Sequence, residues 1–237
     1  MKRTSRDARL DDHVSSIARR FRVDLERPDP YWPAQLAALA AILLYVTLPN
    51  KLTIGPNWLV PVLEVLVFVA LVLTTPGDEV PGTRLRQRLA IALIGVLALV
   101  NLVALGLLAH YVIEGGAAGR GLVEAAVALW GTIVLVFALV YWELDRGGPL
   151  ARAHPELTEP FDFLFTQSTD EGRRLEPGWQ PSFVDYLYLS LTNSTAYSPT
   201  DTMPLSKRAK LTMGIQSVAS LITIGLLIAR AIASLSA

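Results

Sequence analysis

The sequence predicts an all-α integral membrane protein with five transmembrane helices and a short re-entrant or interfacial pore-like helix before the last. Three observations predict it. The 237 residues are 52% hydrophobic, and the apolar residues gather in runs at roughly 32–49, 57–75, 88–110, 122–142 and 211–234. About twenty consecutive apolar residues cross the hydrocarbon core of a bilayer. Aromatic residues Tyr31, Trp32, Trp58, Tyr111, Tyr141 and Trp142 stand near the run ends, where an interfacial belt belongs.

Residues 1–30 form a basic tail with Lys2, Arg3, Arg6, Arg9, Arg19, Arg20, Arg22 and Arg27. Val14, Ile17, Ala18, Phe21 and Leu25 would share one face of a helix there. Pro28, Pro30 and Pro33 stop it before the membrane. The tail has no apolar core, so the first span is expected to serve as the insertion signal.

The spans at 31–142 are joined by loops that alternate in charge. Lys51 and Arg120 stand alone in the first and third loops, while Arg84, Arg86 and Arg88 crowd the second. Arg146, Arg152, Arg173 and Arg174 follow the fourth span. The positive-inside rule then places the N-terminus and the 143–182 segment in the cytoplasm. Within 143–182, Phe161, Phe163 and Phe165 make an aromatic patch expected to dip into the interface or pack under the bundle. Forty residues are too few for an independent domain.

Ionisable groups inside a bilayer are costly and become functional candidates. Glu64 is the deepest clear carboxylate, an ion or proton site or a partner for a neighbouring helix. Glu124 stands near a helix start, and Asn101 is central in its span, placed for interhelical hydrogen bonding. In the last span Gln216, Ser220, Thr223 and Arg230 fall within about 80° of one another at 100° per residue. This polar stripe either lines an aqueous path or hydrogen-bonds to the other helices.

The region 183–237 combines a segment too short to cross a bilayer with the last span. Asp185 stands near its helix start, where its charge complements the dipole. Thr192, Asn193, Ser194, Thr195, Tyr197, Ser198 and Thr200 then crowd together before Asp201, with Pro199 as a helix stop. Irregular backbone at membrane depth survives only in a protein-lined or watery cavity. There hydroxyls and freed carbonyls can replace part of an ion's hydration shell.

The run Ser190-Leu-Thr-Asn-Ser-Thr-Ala-Tyr-Ser-Pro-Thr-Asp-Thr-Met-Pro-Leu-Ser206 resembles the pore helix and filter of potassium-channel-type pore-loop proteins. Ser190, Thr192, Thr195, Asp201, Pro204 and Ser206 match, with Tyr197 as a further match. The resemblance implies a filter from Thr192, Thr195, Ala196, Tyr197, Ser198, Thr200 and Asp201. It also implies a vestibule lined by Gln216, Ser220 and Thr223, a homo-tetramer and a monovalent cation. Both filter glycines are absent, so potassium selectivity is not carried over. A second resemblance, to uncharacterised five-helix bacterial inner-membrane proteins, rests on Asp185-Tyr-Leu-Tyr-Leu-Ser190, Ser206-Lys-Arg-Ala-Lys210 and Tyr141-Trp-Glu-Leu-Asp-Arg-Gly-Gly-Pro149.

Other classes of function find no support in the residues. There is no cysteine, so disulfides and thiolate chemistry are excluded. His13, His110 and His154 lie apart without metal-ligand spacing, and the hydroxyl cluster has no general base nearby. No enzyme activity, cofactor, metal or nucleic-acid partner is expected. The lipid bilayer is the expected partner. A non-conducting scaffold or sensor subunit acting through partners is the alternative to a channel.

Overall fold

A computed structural model describes residues 29–49, 52, 61, 62, 65, 68, 69, 83–114, 120–153, 160–195 and 201–235. They are mostly helical, and three helices among them are long and apolar enough to cross a membrane: Leu89–Ile113, Gly121–Gly147 and Lys207–Ala229. The helices are α1 (Trp32–Val46), α2 (Thr83–Ile113), α3 (Arg120–Leu144), α4 (Pro149–Ala153), α5 (Asp170–Leu175), α6 (Phe183–Ser194) and α7 (Lys207–Leu235). Two short strands, β1 (Phe163–Phe165) and β2 (Thr202–Pro204), and single 3-10 turns at Asp145–Gly147 and Thr166–Ser168 complete the described elements.

The first expected span is shorter than its apolar run. Helix α1 has 15 residues and ends at Val46, where Thr47 turns its N–H and hydroxyl back to the Leu44 carbonyl. At 1.5 Å per residue it covers about 22 Å, less than the roughly 30 Å of a hydrocarbon core. Most of the second expected span, 57–75, lies outside the described residues. The last span starts four residues earlier than its apolar run, with Lys207, Arg208 and Lys210 inside its first turn.

Helix α3 is the axis of the molecule, and α1, α2, α6 and α7 all pack on it. Small side chains explain the closeness of α1. Ala34, Ala37, Ala38 and Ala41 are all buried, and Leu44 packs over Gly131 of α3. Small residues let helix backbones approach where lipid offers no hydrophobic drive of its own.

Helix α6 forms because Ser182 and Asp185 cap it. The Ser182 N–H and hydroxyl both donate to Asp185 Oδ2, at 2.8 and 2.9 Å. It runs antiparallel to α3. The Tyr186 hydroxyl donates to Asp145, just past the end of α3, and the Ser190 hydroxyl donates to the Val134 carbonyl, near its middle.

The chain then comes back. Strand β2 pairs antiparallel with β1, setting Phe163 opposite Pro204 and Phe165 opposite Thr202. Phe163 and Phe165 pack edge-on against Tyr186, with ring centroids 6.5 and 5.4 Å away. The aromatic patch is therefore core beneath the bundle: Phe163 and Phe165 are buried, while Phe161 is exposed. Entry to and return from α6 occur at one end of α3.

Candidate functional site

Two polar clusters hold α6 in place. The inner one centres on Gln216 of α7, which is fully buried. Its Nε2 lies 2.9 Å from the Ser190 carbonyl, 2.6 Å from Ser190 Oγ and 2.7 Å from Ser194 Oγ. Its Oε1 accepts from the Tyr141 hydroxyl and from Asn193 Nδ2, the latter at 2.9 Å. Asn193 also donates to the Met213 carbonyl at 3.0 Å, and its Oδ1 accepts from Ser217 at 3.1 Å. One glutamine thus joins α3, α6 and α7, with both ends of its amide engaged.

The outer cluster lies where α3 ends. Arg146, Gly147 and Gly148 take positive φ values of 55, 81 and 90°, which turn the chain sharply after Asp145. Arg152 on α4 then reaches back into the turn. It donates to the Trp142 and Asp145 carbonyls at 2.8 and 2.9 Å and to Asp29 at 2.8 Å. Asp29 also accepts from the Trp142 indole N–H at 2.9 Å and from the Phe183 N–H at 3.2 Å, so it grips the first residue of α6. Burial pushes the Asp29 carboxyl above its ordinary value, against the opposing pull of Arg152 and Trp142.

Asp145, wholly buried, accepts from the Asp162 and Phe163 N–H groups at 2.9 and 3.2 Å and from the Tyr186 hydroxyl at 2.7 Å. Asp162 in turn takes a bidentate Arg208, both bonds 2.7 Å, and the Ser206 hydroxyl. Burial works to raise the Asp162 carboxyl, but the Arg208 and Ser206 bonds outweigh it and hold the group below its ordinary value.

The expected site residues fall into three groups. Gln216, Ser220 and Thr223 are all buried within the chain. Of the two readings of the stripe, hydrogen bonding between helices describes Gln216. Thr223 bonds to its own helix at Ala219, 2.8 Å away. Thr192 and Thr195 close the end of α6 by donating to carbonyls of the preceding turn, Leu189 at 3.0 Å and Leu191 at 3.2 Å. The Asp201 carbonyl accepts from the Thr166 N–H at 3.2 Å, and the residue is exposed. Ala196, Tyr197, Ser198, Thr200 and Glu64 lie outside the described residues.

Sequence reasoning missed Asp29, Asp145, Arg152, Asp162 and Arg208. In the sequence Arg152 reads only as an orientation charge and Arg208 only as part of a basic patch. The pair of glycines after Arg146 was the available signal, since a forced turn there brings α4 and Arg152 back onto the end of α3. Among the described residues no group of His, Asp and Glu could hold a metal ion.

No protein-family model matches the chain, and comparison with curated proteins and with solved structures finds no match.

Proposed function

We propose that the chain is a multi-pass membrane protein in which 182–206 is a re-entrant hairpin of the pore-loop type. Several copies, four in the simplest closed ring, would surround a path for a monovalent cation. One observation carries this reading. Helix α6 runs inward beside α3 as far as Val134, and the chain is back at the starting end by β2. A segment that entered and left a bilayer on one face would leave Thr195, Tyr197, Ser198 and Thr200 near its tip, where polar backbone needs water or protein around it. Basic residues flanking the hairpin, among them Arg173, Arg174, Lys207 and Lys210, support a cytoplasmic side for that face.

The test is cation flux into liposomes containing the purified protein, alongside its mass in nanodiscs by native mass spectrometry. The reading expects a tetramer, flux above that of empty vesicles, and altered flux in Thr195→Ala and Tyr197→Ala. A monomer or dimer, or identical flux in both variants, overturns it.

A second reading, a non-conducting scaffold or sensor subunit, is favoured by the Gln216 cluster. Of the three vestibule candidates, Gln216 is spent within its own chain, which leaves Ser220 and Thr223. That reading expects no flux and a dependence of partner assembly on the exposed face of α7.

A further inference from the structure

Two separate crevices lie between helices α2, α3 and α7, the larger toward the Arg208 end. There a groove of about 330 Å³ lies between Ile94 of α2, Val140 of α3 and Arg208 of α7. Further along, a smaller crevice is lined by Leu108 of α2, Ala126 of α3 and Leu227 of α7. One antiparallel register of α2 on α3 accounts for both places, with Ile94 level with Val140 and Leu108 level with Ala126. It sets Asn101 level with Ile133, midway between them.

The faces agree with this register. Asn101 is seven residues, two helical turns, from both Ile94 and Leu108, so all three share a face. Trp130 is four residues from Ala126, and Ser220 is seven residues before Leu227. Interpolating along α7 from Arg208 to Leu227 puts Ser220 within about one turn of Asn101. By this register three helices each bring one polar side chain to about the same height, between the two crevices.

All three are without partners. Among the described residues, Asn101 Oδ1 and Nδ2, Trp130 Nε1 and Ser220 Oγ are buried and make no hydrogen bond. Asn101 is 5% exposed and Ser220 1%. A bare buried polar group is costly, so such groups normally hold something. Their coincidence in one layer gives them something to share.

We propose that this layer is a hydration site: a small cluster of buried water bridging Asn101, Trp130 and Ser220 halfway along the bundle. The donor inventory selects water over an ion. The amide, indole and hydroxyl supply four donors, four acceptor lone pairs and no charge, a balance that suits a molecule able both to donate and to accept. No charged residue occurs in 95–107, 127–139 or 211–226, the stretches flanking the layer. A dehydrated cation would need more oxygen ligands, and a buried anion would need a counter-charge. Buried water typically makes about three hydrogen bonds, which these three side chains provide.

The site is tested on the full chain in lipid nanodiscs with ¹⁵N-labelled tryptophan. Trp130→Phe identifies the Trp130 indole resonance, and magnetisation transfer from water to that N–H is measured. The proposal expects a water cross-peak for Trp130, lost in Asn101→Leu and weakened in Ser220→Ala. If Asn101→Leu fails to fold, Ser220→Ala, which removes a single oxygen, carries the test. Absence of the cross-peak in the parent protein, as direct pairing of the indole with Asn101 would give, overturns the proposal. So does a cross-peak unchanged in the folded variants.

Discussion

The Ser190 hydroxyl lies 2.7 Å from the Val134 carbonyl and donates to it, while Ser190 Oγ also receives Gln216 Nε2 at 2.6 Å. A side chain on the short helix thus reaches the middle of the central helix and, through the same oxygen, α7. The depth of α6 along α3 is set by that oxygen.

Gln216→Leu removes the group that joins three helices. It leaves Ser194 and Asn193 short of partners in a buried site, where each unmet group costs about 1–3 kcal/mol. The expected outcome is a lower melting temperature in thermal unfolding of the nanodisc-embedded protein. A double-mutant cycle with Ser190→Ala should show coupling between the two positions, since both act on the same bonds. Additive losses would refute the shared network.

Arg152→Met should be among the most destabilising single changes in the chain. It strands Asp29 and bares the Trp142 and Asp145 carbonyls, and breaking a buried pair from one side costs roughly 3–5 kcal/mol. Adding Asp29→Asn in the Arg152→Met background should recover part of the loss by removing the stranded charge. Unfolding midpoints of the two single variants and the double variant measure this directly.

Asp162 makes stability depend on pH in the acid range. Its carboxyl is held below the ordinary value of 3.8 by Arg208 and Ser206, so the unfolded chain binds this proton at higher pH than the folded one. The stabilisation is present above the unfolded value and lost as pH falls through the lower folded value. Melting temperature should therefore decline below about pH 4, and Asp162→Asn should flatten this part of the decline while lowering stability at neutral pH. A profile of unchanged slope in Asp162→Asn would remove Asp162 as the cause.

Gly172→Ala probes the turn behind β1. A Cβ there would sit 2.2 Å from the Thr166 carbonyl oxygen and 2.5 Å from Gln167 Cα, both backbone atoms that no rotamer change can move. The 166–168 turn must shift, and with it the end of β1. Faster amide exchange at Phe165 and Thr202, with the apolar spans unchanged, is the expected result by hydrogen-exchange mass spectrometry.

Much of the helical frame was legible in the apolar runs, because each run long enough to bury itself in lipid is also long enough to satisfy its own backbone. Helix α6 was legible for local reasons: Asp185 suits a helix start and Pro199 stops a helix. The Gln216 stripe could be found by counting 100° per residue, but its role could not. Tyr141, Ser190 and Asn193 are 75, 26 and 23 residues away, and only packing decides whether they meet it. Asp29 and Arg152, separated by 123 residues, were hidden for the same reason. Basic residues near a membrane have an orienting role that needs no partner, and that explanation masked the buried one.

Arg208 fastens α7 to Asp162, and Gln216 fastens it again to α6 and α3, eight residues or about 12 Å further on. Mechanically, α7 is a beam clamped at two heights. It cannot pivot about either fixing without breaking the other, and the short helix shares both clamps through Asp145 and Ser190. Any bending of α7 relative to these described elements therefore starts beyond Ser217, where Leu226 and Leu227 meet α2 and α3 through apolar side chains.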